Sequence, residues 1–255
     1  MGYIERTQEG KVAIFSLNHP PANALSSAII DELDYHLEVV EEDVTIKVIV
    51  IHGTGRFFSA GADIKEFTQV SDSSHHLSQK GQEVFNRIEN FSKPIIAAIH
   101  GAALGGGLEL AMACHIRLAE KGSKFGLPEL NLGLIPGFGG TQRLSRLVGI
   151  PKATEMMLTS DPLKAEEALN WGLINHVVSE GAVLHEALTL GAKIAEKSAI
   201  SVRSLFACLR EARQGTFEKG LEREASGFAD VFLSDDAKEG ITAFIEKRKP
   251  VFKDK

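Results

Sequence analysis

The sequence predicts an α/β fold with parallel strands, followed by a helical C-terminal region. Three observations carry this reading. Short apolar runs alternate with helical patterns through the first part of the chain. Two of those runs are continuously apolar, as strands covered on both faces are. After Pro151 the strand signals fade and helical periodicity takes over.

Val12–Leu17 reads as the first strand. Ser26 is a good N-cap before a run in which Ile29, Ile30, Leu33, Leu37 and Val40 recur at helical spacing. Val48–Ile51 is the second strand and Ile95–Ile99 the third, with a helical pattern from Leu77 to Phe91 between them. The polar stretch from Gln69 to His76 reads as a loop or a frayed helix start. Strand–helix–strand alternation argues for parallel pairing through right-handed crossovers. Helical patterns then cover Ala153–Leu158, Ala165–Trp171, Leu184–Ala195, Val202–Arg213, Phe217–Phe232 and Ala237–Glu246. The expected division is a core over residues 1–195 and a helical region over 196–255.

Composition narrows the function classes. The 255 residues allow one or two domains, at about 150 residues each. Hydrophobic residues make up 44% and the formal net charge is −6, so no broad basic surface for nucleic acid is expected. Lys247, Arg248, Lys249, Lys253 and Lys255 cluster near the end and read as a solvated tail. Cys114 and Cys208 have neither CxxC nor metal-ligand spacing, which suits a reducing compartment. His75 and His76 lack the HExxH pattern that would support a metal site. No run approaches the roughly 20 apolar residues that cross a bilayer. The opening residues resemble no secretory signal, and Arg6 stands where a myristoylation motif needs Ser or Thr. A cytoplasmic enzyme is expected.

The stretch GAALGGGLELAMAC follows directly on an apolar strand. Gly105, Gly106 and Gly107 precede good helix formers, so a strand, a tight turn and a helix start are expected. Such an end offers unpaired N–H groups and the positive end of the helix dipole to a negative oxygen. A dinucleotide pyrophosphate would need a third small residue where Leu110 stands. A P-loop would need Gly-Lys-Ser/Thr, which is missing. An oxyanion developing on a carbonyl remains. So does the plain reading that the glycines only let the helix pack close to the sheet. Glu109, among Leu108, Leu110 and Met112, is expected to be buried, and a buried carboxylate needs a partner or a task.

A second carboxylate, Glu129, sits in FGLPELNLGLIPGFGGTQRL, where Gly133, Gly137, Gly139 and Gly140 bracket Pro136. Arg143 and Arg146 lie in the helix that follows, which weakens a phosphate-cradle reading. Paired carboxylates serve glycoside hydrolysis, but one Trp and two Tyr supply few sugar platforms. Acid–base work on an acyl group fits better. Upstream, Ala62 follows Gly61 in RFFSAGADIKEF and can present a second backbone donor, while Asp63 reads equally as an N-cap. His100 ends the third strand and reads as a framework residue, and Trp171, Phe206 and Phe228 read as core or interface.

The segments SAGADI, GAALGGGLELAMAC and FGLPELNLGLIPGFGGTQRL, in this order and spacing, resemble the crotonase (enoyl-CoA hydratase/isomerase) superfamily. NHPPANAL near the start and TAFIEKRKPVFKDK at the end are similar to its hydratases. The resemblance implies a crotonase spiral of ββα repeats with a helical trimerisation region that completes the CoA site. It implies a homo-oligomer, either a trimer or a dimer of trimers. The substrate would be an acyl-CoA thioester, with no metal and no redox cofactor, because CoA is part of the substrate. The oxyanion hole maps onto the amides of Ala62 and Gly106, the catalytic glutamates onto Glu109 and Glu129, and a water-holding amide onto Gly137. Ala60, Asp63, Ile64 and Lys65 fall in the segment that meets CoA, and Phe244 and Lys247 match positions near its adenine and phosphate end. Keeping both glutamates favours hydration, with Glu109 as base and Glu129 as acid; a related isomerase or hydrolase, or a non-catalytic RNA- or protein-binding relative, is the alternative. β-Oxidation of straight-chain substrates is the expected setting. His115 departs from the Asp common in the family and is expected to have only a structural consequence. Leu127 is expected to line the acyl pocket, and the Phe67–Gln82 segment to influence chain length.

Overall fold

The computed structural model describes residues 2–67 and 74–255. The chain divides into two compact units, Met1–Gly191 and Ala192–Lys255. No described helix is long and apolar enough to cross a membrane.

The first unit opens with β1 (Ile4–Glu9) and β2 (Val12–Leu17), an antiparallel pair, and continues through α1 (Ser27–Glu42) to β3 (Val48–Gly53). The short α2 (Ile64–Phe67) and then α3 (Ser74–Glu89) lead to β4 (Ile95–Ile99). Next come β5 (Ala102–Leu104), α4 (Gly106–Ala113), β6 (Ile116–Glu120), β7 (Lys124–Gly126) and a 3₁₀ turn over Glu129–Leu132. After these follow α5 (Gly140–Val148), α6 (Ile150–Thr159), β8 (Leu163–Lys164), α7 (Ala165–Asn170), β9 (His176–Val178) and α8 (Val183–Ala195), whose last turn belongs to the second unit.

The main sheet runs in the order β1-β2-β3-β4-β6-β9, with every pair after the first parallel. The predicted strands are its centre. Val48, Ile49, Val50 and Ile51 are all buried, as a strand covered on both faces requires. Ser26 caps α1 by accepting from the Ile29 amide at 3.3 Å, and Ile29, Ile30, Leu33, Leu37 and Val40 form its buried stripe. Each such side chain contributes about 1.5–3 kcal/mol when fully buried.

A second, smaller sheet has the order β5-β7-β8. It was not legible in sequence, because strands of two or three residues carry no period. It changes the expected strand–turn–helix step at the glycines: β5 intervenes between β4 and α4. Strands β8 and β9 likewise lie beyond Pro151, where the periodicity gives only helices. Residues 69–73 of the polar stretch lie outside the described residues, and α3 is already helical at Ser74. The side chains of His75 and His76 also lie outside them.

In the second unit, α9 (Ala199–Gln214) packs on α10 (Phe217–Phe232), and α11 (Asp235–Ile245) follows. Thr216 and Ser234 cap α10 and α11. The basic cluster is solvated, as expected, and ion pairs tie part of it down. Arg248 pairs with Glu239 at 2.6 Å and with Glu246 at 2.7 Å, and Lys249 pairs with Glu196 at 2.6 Å. Buried Asp236 accepts from the amides of Lys253 and Asp254 at 2.7 and 2.9 Å, which ties the chain end to the start of α11.

Candidate active site

The site is built where three backbone segments of the first unit converge. The strand-like segment through Ser59–Ala62 is held by the NHPPANAL segment. Ala60 donates to Ala22 O at 2.9 Å, Leu25 donates to Gly61 O at 2.8 Å, and Asp63 donates to Leu25 O at 3.0 Å. Asn23 fixes the loop just before it, donating through Nδ2 to Thr54 O and Phe57 O at 2.9 and 2.8 Å. Ser59 Oγ donates to Asn23 O at 2.8 Å. Nothing in the periodicity pointed to Asn23 or Ser59; the signal was their place in the NHPPANAL and SAGADI segments.

The second segment is the start of α4. Gly105 takes φ 49° and ψ −128°, a conformation that a side chain disfavours, and turns β5 into the helix. Gly106, the first helical residue, has an amide with no intrahelical partner. A β-carbon built on Gly106 would lie 3.3 Å from the Ala62 nitrogen, so the two amides flank one small space. Among the described residues, no protein oxygen accepts from either amide.

The third segment is the turn from Pro136 to Gly140. It grips Glu109, whose Oε1 accepts from the Phe138 amide at 2.8 Å and the Gly140 amide at 2.7 Å. Glu109 is 1% exposed, and every residue of its helix is buried. Burial pushes its carboxyl up to about 7; the Gly140 amide opposes this, the Glu129 charge adds to it, and the Phe138 amide and Arg143 oppose it. Glu129 opens the 3₁₀ turn, and a β-carbon on Gly105 would stand 3.1 Å from its Oε1. Its Oε2 is buried with no hydrogen-bond partner among the described residues. Burial also raises the Glu129 carboxyl, against its own backbone N–H.

Both carboxylates, both amides and Gly137 line one pocket of about 150 Å³ with Ala60, Ile64, Leu132 and Phe138. Gly137 is tied through its carbonyl, which accepts from Ser78 Oγ at 2.6 Å and Gln82 Nε2 at 2.9 Å. Arg143 is not a phosphate ligand. It is buried, and it donates to Phe138 O at 2.9 Å and Asn86 Oδ1 at 2.6 Å while its Nε reaches Glu89 at 3.2 Å. Cys114 is buried, which pushes its thiol up to about 12 and leaves it unsuited to nucleophilic work. Among the described residues, no group of three or more His, Cys, Asp or Glu side chains is placed to hold a metal ion.

Comparison with known proteins agrees with this arrangement. A family model described as enoyl-CoA hydratase/isomerase matches residues 7–255. The chain belongs to the enoyl-CoA hydratase/isomerase family. A probable enoyl-CoA hydratase of Bacillus subtilis is 54% identical, with 99% of each chain covered. A short-chain-enoyl-CoA hydratase of Clostridium acetobutylicum is 41% identical over 95% of this chain and 94% of that one. The crystal structure of an enoyl-CoA hydratase from Bacillus anthracis superposes with a TM-score of 0.95 at 35% identity, covering 99% of this chain and 100% of the other. The fold is therefore the crotonase fold of that family.

Within that family frame, the remaining expectations resolve unevenly. Asp63 stands just before α2, and Ile64 on α2 is 51% exposed at the pocket. Lys65 lies on α2, with its side chain outside the described residues. Phe244 and Lys247 belong to the second unit, at the end of α11 and just behind it. His115 does structural work: its Nδ1 accepts from the Ile95 amide at 2.9 Å. His100 likewise serves the framework through Gly55 O at 3.0 Å. Leu127 does not line the pocket; it is 1% exposed, inside the core cluster. Trp171 is not core either, being 46% exposed beneath the Lys152 ammonium.

Proposed function

We propose that the chain is an enoyl-CoA hydratase, adding water reversibly and syn across the double bond of a 2-trans-enoyl-CoA to give a 3-hydroxyacyl-CoA. The observation that carries this is the presence of Glu109 and Glu129 in one pocket with the amides of Ala62 and Gly106. The names of the relatives support it.

The thioester oxygen accepts from Ala62 and Gly106, each worth about 3–4 kcal/mol as enolate charge develops. This withdraws electrons from the double bond and makes C3 electrophilic. Glu109 takes a proton from water as its oxygen bonds to C3. Its ionised form suits this role, because two amides already donate to Oε1. Glu129, whose buried Oε2 lacks a donor, suits the protonated form and delivers a proton to C2. In dehydration the roles reverse. Gly137 is assigned to the water through its amide, with its carbonyl engaged elsewhere.

Only carboxylates and amides act in this scheme, so no metal or redox cofactor has a role; coenzyme A belongs to the substrate. Ala60, Asp63, Ile64, Lys65, Phe244 and Lys247 are proposed CoA contacts. Assembly as a trimer or a dimer of trimers is proposed, supported by the exposed Phe217, Phe228 and Phe244 in the second unit, and is checked by sedimentation. A cytoplasmic setting is proposed with it. The deciding assay for function follows loss of conjugated-thioester absorbance with crotonyl-CoA. Rapid loss with 3-hydroxybutyryl-CoA as product supports the reading, and an unchanged substrate contradicts it.

A further inference from the structure

We propose that the Phe138 ring closes the acyl end of the pocket and makes short 2-enoyl-CoAs the preferred substrates, an inference that rests on the hydratase reading above. The ring is 4% exposed and lines the pocket beside both catalytic carboxyls. It has little freedom to move. Its own amide holds Glu109 at 2.8 Å, so its backbone cannot shift without moving that carboxylate. It packs T-shaped against Phe85, with centroids 5.5 Å apart and planes at 80°. One edge lies so close to Gly81 on α3 that a β-carbon there would collide with it. The other edge, Cδ2 and Cε2, lies 3.3 Å from where a β-carbon on Gly106 would stand. The ring therefore fills the gap between α3 and α4 directly beside a proposed oxyanion amide.

The other apolar lining groups differ. Ile64, Leu132 and Ile135 are 51%, 54% and 72% exposed, so they can turn aside at low cost. Phe138 is the fixed wall. The pocket measures about 150 Å³ and is open past the exposed Ile64, Leu132 and Ile135. A butenoyl group fits within it, and a longer tail that runs inward toward Phe138 has to displace the ring. One methylene gained or lost in an apolar pocket changes kcat/KM by about 10–200-fold.

The test compares kcat/KM for 2-butenoyl-, 2-hexenoyl- and 2-octenoyl-CoA in the full-length protein and in Phe138→Ala, Phe138→Leu and Gly81→Ala. Wild type is expected to lose at least about tenfold between butenoyl and octenoyl, and Phe138→Ala to raise the octenoyl-to-butenoyl ratio at least about tenfold. Gly81→Ala, which pushes the ring toward Gly106, should lower the hexenoyl-to-butenoyl ratio. Circular dichroism checks folding. If Phe138→Ala does not fold, Phe138→Leu carries the same expected rise at smaller size. Wild type turning over octenoyl as fast as butenoyl, or folded Phe138 variants keeping the wild-type ratio, overturns the proposal while leaving the hydratase reading intact. Wild type hydrating none of the three overturns both.

Discussion

Arg143 holds the carbonyl of Phe138 at 2.9 Å, and the amide of that same Phe138 holds Glu109 at 2.8 Å. One residue of the turn thus links a buried cation to a buried carboxylate through its own peptide groups. Lys at 143 keeps the charge but not the planar fork that also reaches Asn86 and Glu89. Arg143→Lys is expected to cost about 1.5–3 kcal/mol of stability in denaturant unfolding. It should lower kcat on crotonyl-CoA more than it changes KM, because the displaced group is Glu109 and not a substrate contact.

Gly106 carries the second proposed oxyanion donor. A methyl group there would stand 3.3 Å from the Ala62 nitrogen, in the space the thioester oxygen must occupy. Gly106→Ala keeps the amide but puts the methyl where the oxygen must sit, and is expected to lower kcat/KM by at least about 10²-fold, the size of effect that follows when an oxyanion contact is lost. Gly106 is helical with an ordinary φ, so the cost to thermal unfolding should be limited to about 1–3 kcal/mol of overpacking against the Phe138 edge at 3.3 Å.

Glu109 gives the protein a pH dependence with a definite sign. Burial raises its folded carboxyl to about 7, above the roughly 4.3 of an unfolded glutamate. Between those values the folded state holds the extra proton, so stability falls as pH rises through that window. Glu109→Gln lacks this penalty while its amide oxygen can still accept from Phe138 and Gly140. Urea unfolding should show the variant gaining on wild type by on the order of 3 kcal/mol between pH 4 and 8. A pH-independent difference contradicts this. In the wild type, kcat/KM should climb with pH along a limb centred near 7, as the base ionises.

The sequence carried some parts of this site and hid others for physical reasons. The central strands and α1 were legible because Val48–Ile51 and the Ile29–Val40 stripe are long enough to show a period. Glu109 and Glu129 stood out because a carboxylate among apolar residues is costly without a task. The roles of Arg143, Asn23 and Ser78 were hidden. Each acts on backbone groups 5, 31 and 59 residues away, and such bonds leave no trace in local spacing. The second sheet was hidden because β5, β7 and β8 are too short to alternate. Leu127 was misread because its neighbours Pro128 and Glu129 line the pocket while it points into the core.

The sharpest check is the crotonyl-CoA hydration rate of Glu109→Gln, Glu129→Gln and the double variant, each shown to be folded. If both carboxyls work on the same water, either single change costs about 10²–10⁴-fold, and the second change adds less than about tenfold, since groups acting as a unit do not add. Near-wild-type turnover in either single variant, or losses that multiply fully in the double, would contradict the account.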